Sequence, residues 1–262
     1  ITGLEGQVEN EMFCQRLAPR LSLPAPRTWV EVFGDIPVVV VERYDRRRLA
    51  GKRVLPIDSP GGEVHRVHQE DCCQALMVDP RNKYQRDGGP GMRQVMELLS
   101  GSGRPSEDRD RFMRACAYNF VIAGTDAHGK NYGLLLAAGG RYRLAPLYDI
   151  ASWLPYSKNK REDRLAMSVD RMYFFQEIFP RHWQDEARKC GYSADQMMAH
   201  IRDILARLPD EAASLLAACK SEGMSDKTLD ALTDLMARRV RDLAGKYGSE
   251  PMTREQDRLP GL

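Results

Sequence analysis

One stretch, Phe120-Val-Ile-Ala-Gly-Thr-Asp126-Ala-His128-Gly-Lys130-Asn131-Tyr-Gly-Leu-Leu-Leu136, does most to limit what this chain can fold into. A long apolar helical pattern runs into a short polar loop, and the loop runs directly into an apolar strand. Polar groups at such a junction are held in place by rigid elements on both sides, as a catalytic constellation requires. A second strand follows the Gly139-Gly140 turn and ends in Leu144-Ala-Pro-Leu-Tyr148-Asp149-Ile-Ala-Ser152, which places another carboxylate in an apolar setting.

Asp126 and Asn131 have the D-x-x-x-x-N spacing with which protein kinases supply a base and a metal ligand. Asp149, after the next hairpin, stands where the second metal ligand belongs, with Ile150 and Ala151 in place of the usual Phe and Gly. Phosphoryl transfer needs a carboxylate to accept the proton of the attacking hydroxyl, and oxygen ligands for Mg²⁺ to neutralise the phosphate. A plainer reading of the same three residues stays open on spacing alone. Asp126 could end a helix, Asn131 could form a turn, and Asp149 could cap a helix beginning at Ile150.

Along the rest of the chain, Glu5 to Leu21 carries helical spacing that ends near Pro19. Arg27–Phe33 and Ile36–Tyr44, joined by Gly34-Asp35, read as a β-hairpin, with Pro37 suggesting an edge position. The polar stretch from Arg46 to Glu63 reads as loop. Helices are expected near Glu70–Met77, Met92–Ser100 and Ser106–Gly124, and short strands at Tyr132–Ala137 and Tyr142–Leu144. From Pro180 to Tyr247 the pattern is helical, with breaks at Gly191, Pro209 and Gly223; Gly248 to Leu262 reads as a flexible tail.

A net charge of +2 gives no electrostatic case for nucleic acid or an anionic membrane, and Arg46–Arg48 and Lys158–Arg161 read as solvated runs. Six cysteines without a CxxC pair suit a reducing compartment, and no apolar run reaches membrane-spanning length. The cytoplasm is therefore the expected location. His65, His68 and Cys72-Cys73 lack metal-ligand spacing, and Gln69-Glu70-Asp71 reads instead as a helix start.

Five ordered blocks together resemble the HipA family of bacterial serine/threonine kinase toxins. They are Val41-Glu-Arg-Tyr-Asp-Arg46, Val67-His-Gln-Glu-Asp-Cys72, Lys83-Tyr-x-x-Asp87-Gly-Gly-Pro-Gly91, Gly124-Thr-Asp-x-His-x-Lys-Asn131 and Leu144-x-Pro-x-Tyr-Asp149. The resemblance implies an α+β, protein-kinase-like fold of two lobes. Residues 1–45 would be the remainder of the N-lobe, helix plus hairpin, up to the hinge. Residues 46–248 would form a large, mainly helical C-lobe, and 249–262 a tail.

The resemblance also implies roles and ligands. Asp126 would be the catalytic base, and Asn131 and Asp149 would hold Mg²⁺. Glu42, Arg43 and Tyr44 would form the hinge against the adenine of ATP; His128, Gly129 and Lys130 would lie against the phosphates, and Tyr148 would line the cleft. Glu11 is either the helix glutamate that pairs with a phosphate-binding lysine or an ordinary surface residue. The implied substrate is an aminoacyl-tRNA synthetase, and the implied partner a small DNA-binding antitoxin of the HipB type, with DNA contact only through that complex. Other readings are a small-molecule or lipid kinase, or a non-catalytic module that binds nucleotide or antitoxin. The family's glycine-rich loop and strand lysine have no counterpart in the ten residues before Glu11. With its Ile start, the chain reads as a piece of a longer protein, weakly active or inactive alone.

Overall fold

In a computed structural model, which describes residues 5–51, 53–55, 60–158, 163–224 and 227–248, the first helix is α1 (Gln7–Arg20). Its apolar stripe of Met12, Phe13, Leu17 and Ala18 is fully buried, so packing, not exposed-surface propensity, holds it. The helix lies against both the following hairpin and the C-terminal helices. That hairpin, β1 (Thr28–Phe33) and β2 (Ile36–Val41), pairs in the register Thr28↔Val41 to Phe33↔Ile36, as the Gly34-Asp35 turn requires. It is a two-stranded sheet, so Pro37 costs no interior ladder bond.

The segment expected to be loop is a three-stranded sheet instead: β3 (Arg46–Ala50), β4 (Arg53–Leu55) and β5 (Glu63–Arg66), in the order β4-β3-β5. The arginine run Arg46–Arg48 thus forms a strand, with Arg46 opposite Arg66. Every β5 side chain is exposed, and a strand solvated on both faces has no apolar alternation to betray it.

Strand β6 (Gln69–Asp71) then leads into the one-turn helix α2 (Cys72–Ala75). Only this short piece of the Glu70–Met77 helix forms. Asp71 caps it, accepting from the Gln74 amide at 2.8 Å while Gln74 reaches back to the Asp71 amide. Helices α3 (Met92–Ser100) and α4 (Pro105–Val121) follow, and then β7 (Gly133–Leu136) and β8 (Tyr142–Leu144), which extend β6 into the order β6-β7-β8. A further hairpin, β9 (Arg164–Val169) and β10 (Met172–Phe174), has no counterpart in the sequence reading. Its first strand is buried from Leu165 to Val169, which erases the period-two signal.

The chain ends in α5 (Pro180–Lys189), α6 (Ala194–Ser221) and α7 (Lys227–Tyr247). The expected break at Pro209 does not occur. Helix α6 runs through it, because buried Leu205, Leu208, Ala212 and Leu215 anchor both sides of the lost hydrogen bond. One core joins α1, α4, α5, α6 and α7 through Phe13, Tyr118, Phe120, Trp183, Ile201 and Met236. The expected tail at 249–262, and most of the Lys158–Arg161 run, lie outside the described residues. Among the described residues no helix is long and apolar enough to cross a membrane.

Candidate active site

Helix α4 ends at Val121, and the chain turns through Ala123, in the left-handed region at φ 55°, to reach Asp126. The Asp126 side chain is exposed, while its carbonyl accepts the His128 amide at 2.8 Å and the Asn131 side-chain amide at 2.9 Å. Asn131 is buried, and the same Nδ2 reaches the carbonyl of Asp149 at 3.3 Å. One side-chain amide therefore ties together the two segments that carry Asp126 and Asp149. Both of its N–H groups point at carbonyls, so Oδ1 is the atom left to ligate a cation.

Asp149 adopts φ 56°, a conformation that costs an ordinary residue about 1–2 kcal/mol and is tolerated best by Asn and Asp. Its amide donates to Gln15 Oε1 at 3.0 Å, and Gln15 Nε2 donates in turn to Thr28 Oγ1 at 2.8 Å. Asn10, five residues earlier on the helix, brackets Ser152: Asn10 Nδ2 donates to the Ser152 carbonyl at 2.7 Å, and the Ser152 amide donates to Asn10 Oδ1 at 3.0 Å. Two fully buried polar residues of α1 thus grip the Asp149–Ser152 segment.

Glu11, on the same helix, faces a cavity of about 500 Å³ whose lining includes Tyr84, Asp126, Asp149, Trp153 and Arg164. It is half-buried. Burial, with the Asp149 carboxylate adding to it, pushes the Glu11 carboxyl up to about 7. Burial and then Asp126 likewise push the Asp149 carboxyl above its usual range. Both shifts describe a cleft with more negative charge than it can comfortably hold, a fit to an added cation. Folding stability should then fall as pH rises from about 4.5 to about 7, because folded Glu11 keeps a proton that the unfolded chain has released. Glu11→Gln should accordingly raise stability at pH 8 by about 1 kcal/mol once solvent screening of this half-buried side chain is allowed for, with the gain vanishing near pH 4.5 in thermal melts.

Tyr84 was not singled out by the sequence reading. It lies in the Lys83–Gly91 segment, and its hydroxyl donates to Asp126 Oδ1. Burial and this bond push the phenol above its usual range, so it stays a donor. Its ring meets His128 edge-on at 5.1 Å, with Lys83 and Arg86 each 5.1 Å from the ring centre. His128 is buried 3.8 Å from Asp126, and burial lowers its pKa, which favours the neutral imidazole.

Gly129 packs under Pro90. A Cβ there would come within 2.9 Å of Pro90 Cδ, closer still to Pro90 Cγ, and within 3.0 Å of Cys73 Sγ. Gly129→Ala is expected to cost about 1–3 kcal/mol in denaturant melts, since the ring and the loop must part to admit the methyl.

The remaining expected residues form a neighbouring surface. Tyr148 donates to the Lys130 carbonyl at 2.6 Å and stacks on Tyr44 with ring centres 6.0 Å apart, so the Tyr44 segment meets the segment that carries Asp149. Glu42 and Arg43 are exposed, and the Glu42 amide donates to the Arg27 carbonyl at 2.9 Å. Arg43 and Arg46 each reach buried Asp45 at 2.6 Å. Burial alone would raise the Asp45 carboxyl, but these arginines hold it below the usual range. None of Glu42, Arg43, Tyr44, His128, Gly129, Lys130, Asn131 or Tyr148 lines the 500 Å³ cavity, which belongs to Asp126, Asp149 and Glu11.

Mg²⁺ fits this donor set only in part. Among the described residues no three His, Cys, Asp or Glu side chains converge on one point. Asn131 Oδ1 and the Asp149 carboxylate would hold such an ion together with oxygens of a phosphate, the usual arrangement for Mg²⁺ at nucleotide sites.

The chain superposes on HipA of Shewanella oneidensis MR-1, solved with HipB and operator DNA, with a TM-score of 0.80 at 22% identity, covering 93% of this chain and 57% of that one. It also superposes on the Helicobacter pylori proinflammatory kinase CtkA, with a TM-score of 0.55 at 11% identity, covering 92% and 80%. Residues 2–212 match the HipA-like C-terminal domain, and the chain belongs to that family.

In sequence the chain is 32% identical over 242 residues to Y4mE of Sinorhizobium fredii, which carries a provisional kinase name, covering 92% of this chain and 54% of that protein. It is 26% identical over 221 residues to the serine/threonine-protein kinase toxin HipA of Shewanella oneidensis, covering 80% and 48%. The chain thus spans about half the length of these relatives.

Proposed function

We propose that this chain carries the base-and-metal half of an ATP- and Mg²⁺-dependent serine/threonine protein kinase of the HipA type. The observation that carries the reading is the Asn131 amide, which joins the Asp126 and Asp149 segments beside one cavity holding both carboxylates. In this reading residues 1–45 are the hinge side of the N-lobe and 46–248 the C-lobe. Asp126, oriented by the Tyr84 hydroxyl, accepts the proton of an incoming serine or threonine. Asn131 and Asp149 present oxygens to the metal. The Glu42–Tyr44 backbone, with Tyr148, faces adenine, while His128, Gly129 and Lys130 approach the phosphates. Bound Mg²⁺–ATP supplies the γ-phosphoryl group and neutralises the charge that develops on it. Glu11 is poised to ionise once a cation, a lysine included, enters the cleft.

The relative solved with HipB and operator DNA supports a small DNA-binding antitoxin as partner. An aminoacyl-tRNA synthetase as substrate and a cytoplasmic location complete the proposal. The 262-residue chain by itself is expected to transfer phosphate weakly or not at all. The test is transfer of labelled γ-phosphate by protein expressed from the complete coding sequence. Label on protein hydroxyls supports the reading, and label on a metabolite alone replaces it with a small-molecule kinase. Absence of Mg²⁺-dependent nucleotide binding in calorimetry makes the chain a non-catalytic module.

A further inference from the structure

The cavity beside Asp126 continues past the base to a wall that the proposed chemistry leaves unused. Arg86, in the turn Gln85–Asp87, and Arg164, at the start of β9, both line it. Their two elements are clamped together. Gln85 Oε1 accepts the Ser168 amide at 2.7 Å and the Ser168 hydroxyl at 3.2 Å. Gln85 is itself wedged against Gly91, where a Cβ would fall 2.6 Å from the Gln85 amide.

Each guanidinium rests on an aromatic face, Arg86 5.1 Å from the Tyr84 centroid and Arg164 4.5 Å from that of Phe174. Stacking covers the plane of a guanidinium and leaves its in-plane N–H groups for an oxyanion. Arg164 makes no ion pair among the described residues, and Arg86 has only the exposed Asp87 carboxylate at 3.7 Å. The segment bearing Arg86 also bears Tyr84, whose hydroxyl holds Asp126, so the arginines sit at a fixed offset from the base. The residues expected to meet nucleotide phosphates, His128, Gly129 and Lys130, do not line this wall.

We propose that Arg86 and Arg164 form an acceptor subsite that reads an anionic side chain, carboxylate or phosphate, next to the hydroxyl presented to Asp126. The proposal deepens the kinase reading and rests on it for the identity of the acceptor. It is tested by fluorescence anisotropy on the 262-residue chain, using labelled peptides with a central serine flanked by Asp, phosphoserine, Gln or Lys. The anionic peptides should bind about tenfold or more tighter than the Gln peptide, as expected for a charge-assisted contact. Arg86→Gln and Arg164→Gln should each reduce that ratio, the double variant should bring it to about one, and Arg164→Lys should keep part of it. Comparing the Asp and phosphoserine arms identifies which anion is read.

A wild-type chain that does not discriminate, or that favours Lys, overturns the subsite, as does a preference that survives in the double variant with an unchanged melting temperature. Labelling of the same peptides by protein from the complete coding sequence separates the two ideas. Equal labelling of Asp and Gln peptides keeps the kinase and removes the subsite. Absent labelling with retained anionic preference removes the kinase and keeps the subsite.

Discussion

Asp126→Asn, in protein expressed from the complete coding sequence, is expected to lower phosphoryl transfer by about 10²–10⁴-fold, the range a positioned general base contributes. The replacement isolates the proton-accepting function. Asn keeps an oxygen for the Tyr84 hydroxyl to donate to, and the backbone carbonyl that receives Asn131 and His128 is untouched. The side chain is exposed, so neither a cavity nor a stranded buried charge is created. Mg²⁺-dependent nucleotide binding and the melting temperature should therefore stay near wild type while turnover collapses. Single-turnover transfer of labelled phosphate, read beside calorimetric nucleotide binding, makes the measurement. A variant within about threefold of wild type would assign the base elsewhere, since loss of transition-state interaction must appear in the rate.

The parts of this site legible in the sequence are those that local pattern can specify. Asp126 and Asn131 sit between an apolar helix and an apolar strand, and both elements formed close to where periodicity placed them, as α4 and β7. Asp149 was read from its place after the same hairpin, five residues beyond the end of β8. The residues that hold these groups in place were not. Gln15 reaches the Asp149 amide across 134 residues, and Asn10 reaches Ser152 across 142. Nothing local marks a polar side chain on a buried helix face as a clasp. Its one signal is that an unpaired amide there would be costly, so a partner must exist somewhere. Tyr84 was hidden similarly, in a Gly- and Pro-rich segment whose course depends on packing under Gly129 and against Ser168. The errors in fold have matching causes. Strand β5 exposes both faces and β9 buries both, so neither shows alternation, and Pro209 is overridden by the helix core around it.

Asp149→Asn should separate charge from geometry at the proposed second metal ligand, with opposite effects on function and stability. Asn accepts the left-handed backbone at φ 56° about as well as Asp does, so the amide bond to Gln15 and the carbonyl contact to Asn131 should persist. What disappears is a carboxylate that burial and Asp126 hold above its usual pKa, and that adds to the burial already raising Glu11. A carboxyl with a raised folded-state pKa costs stability once pH passes the ordinary carboxylate range. The ligand-free variant should therefore melt slightly higher than wild type at neutral pH, by tenths of a kcal/mol, because the carboxylate is only partly buried and water in the open cleft screens it. The difference should close near pH 4. Phosphoryl transfer should fall on the order of 10³-fold, the scale of charge stabilisation a bound metal supplies, and Mg²⁺ should cease to improve nucleotide binding. Asp149→Ala supplies the contrast, because it removes the same charge but adds left-handed strain of about 1–2 kcal/mol and should melt lower. If Asp149→Asn instead melts lower and still responds to Mg²⁺, the carboxylate serves the fold, and the metal must be sought on other oxygens of the cleft.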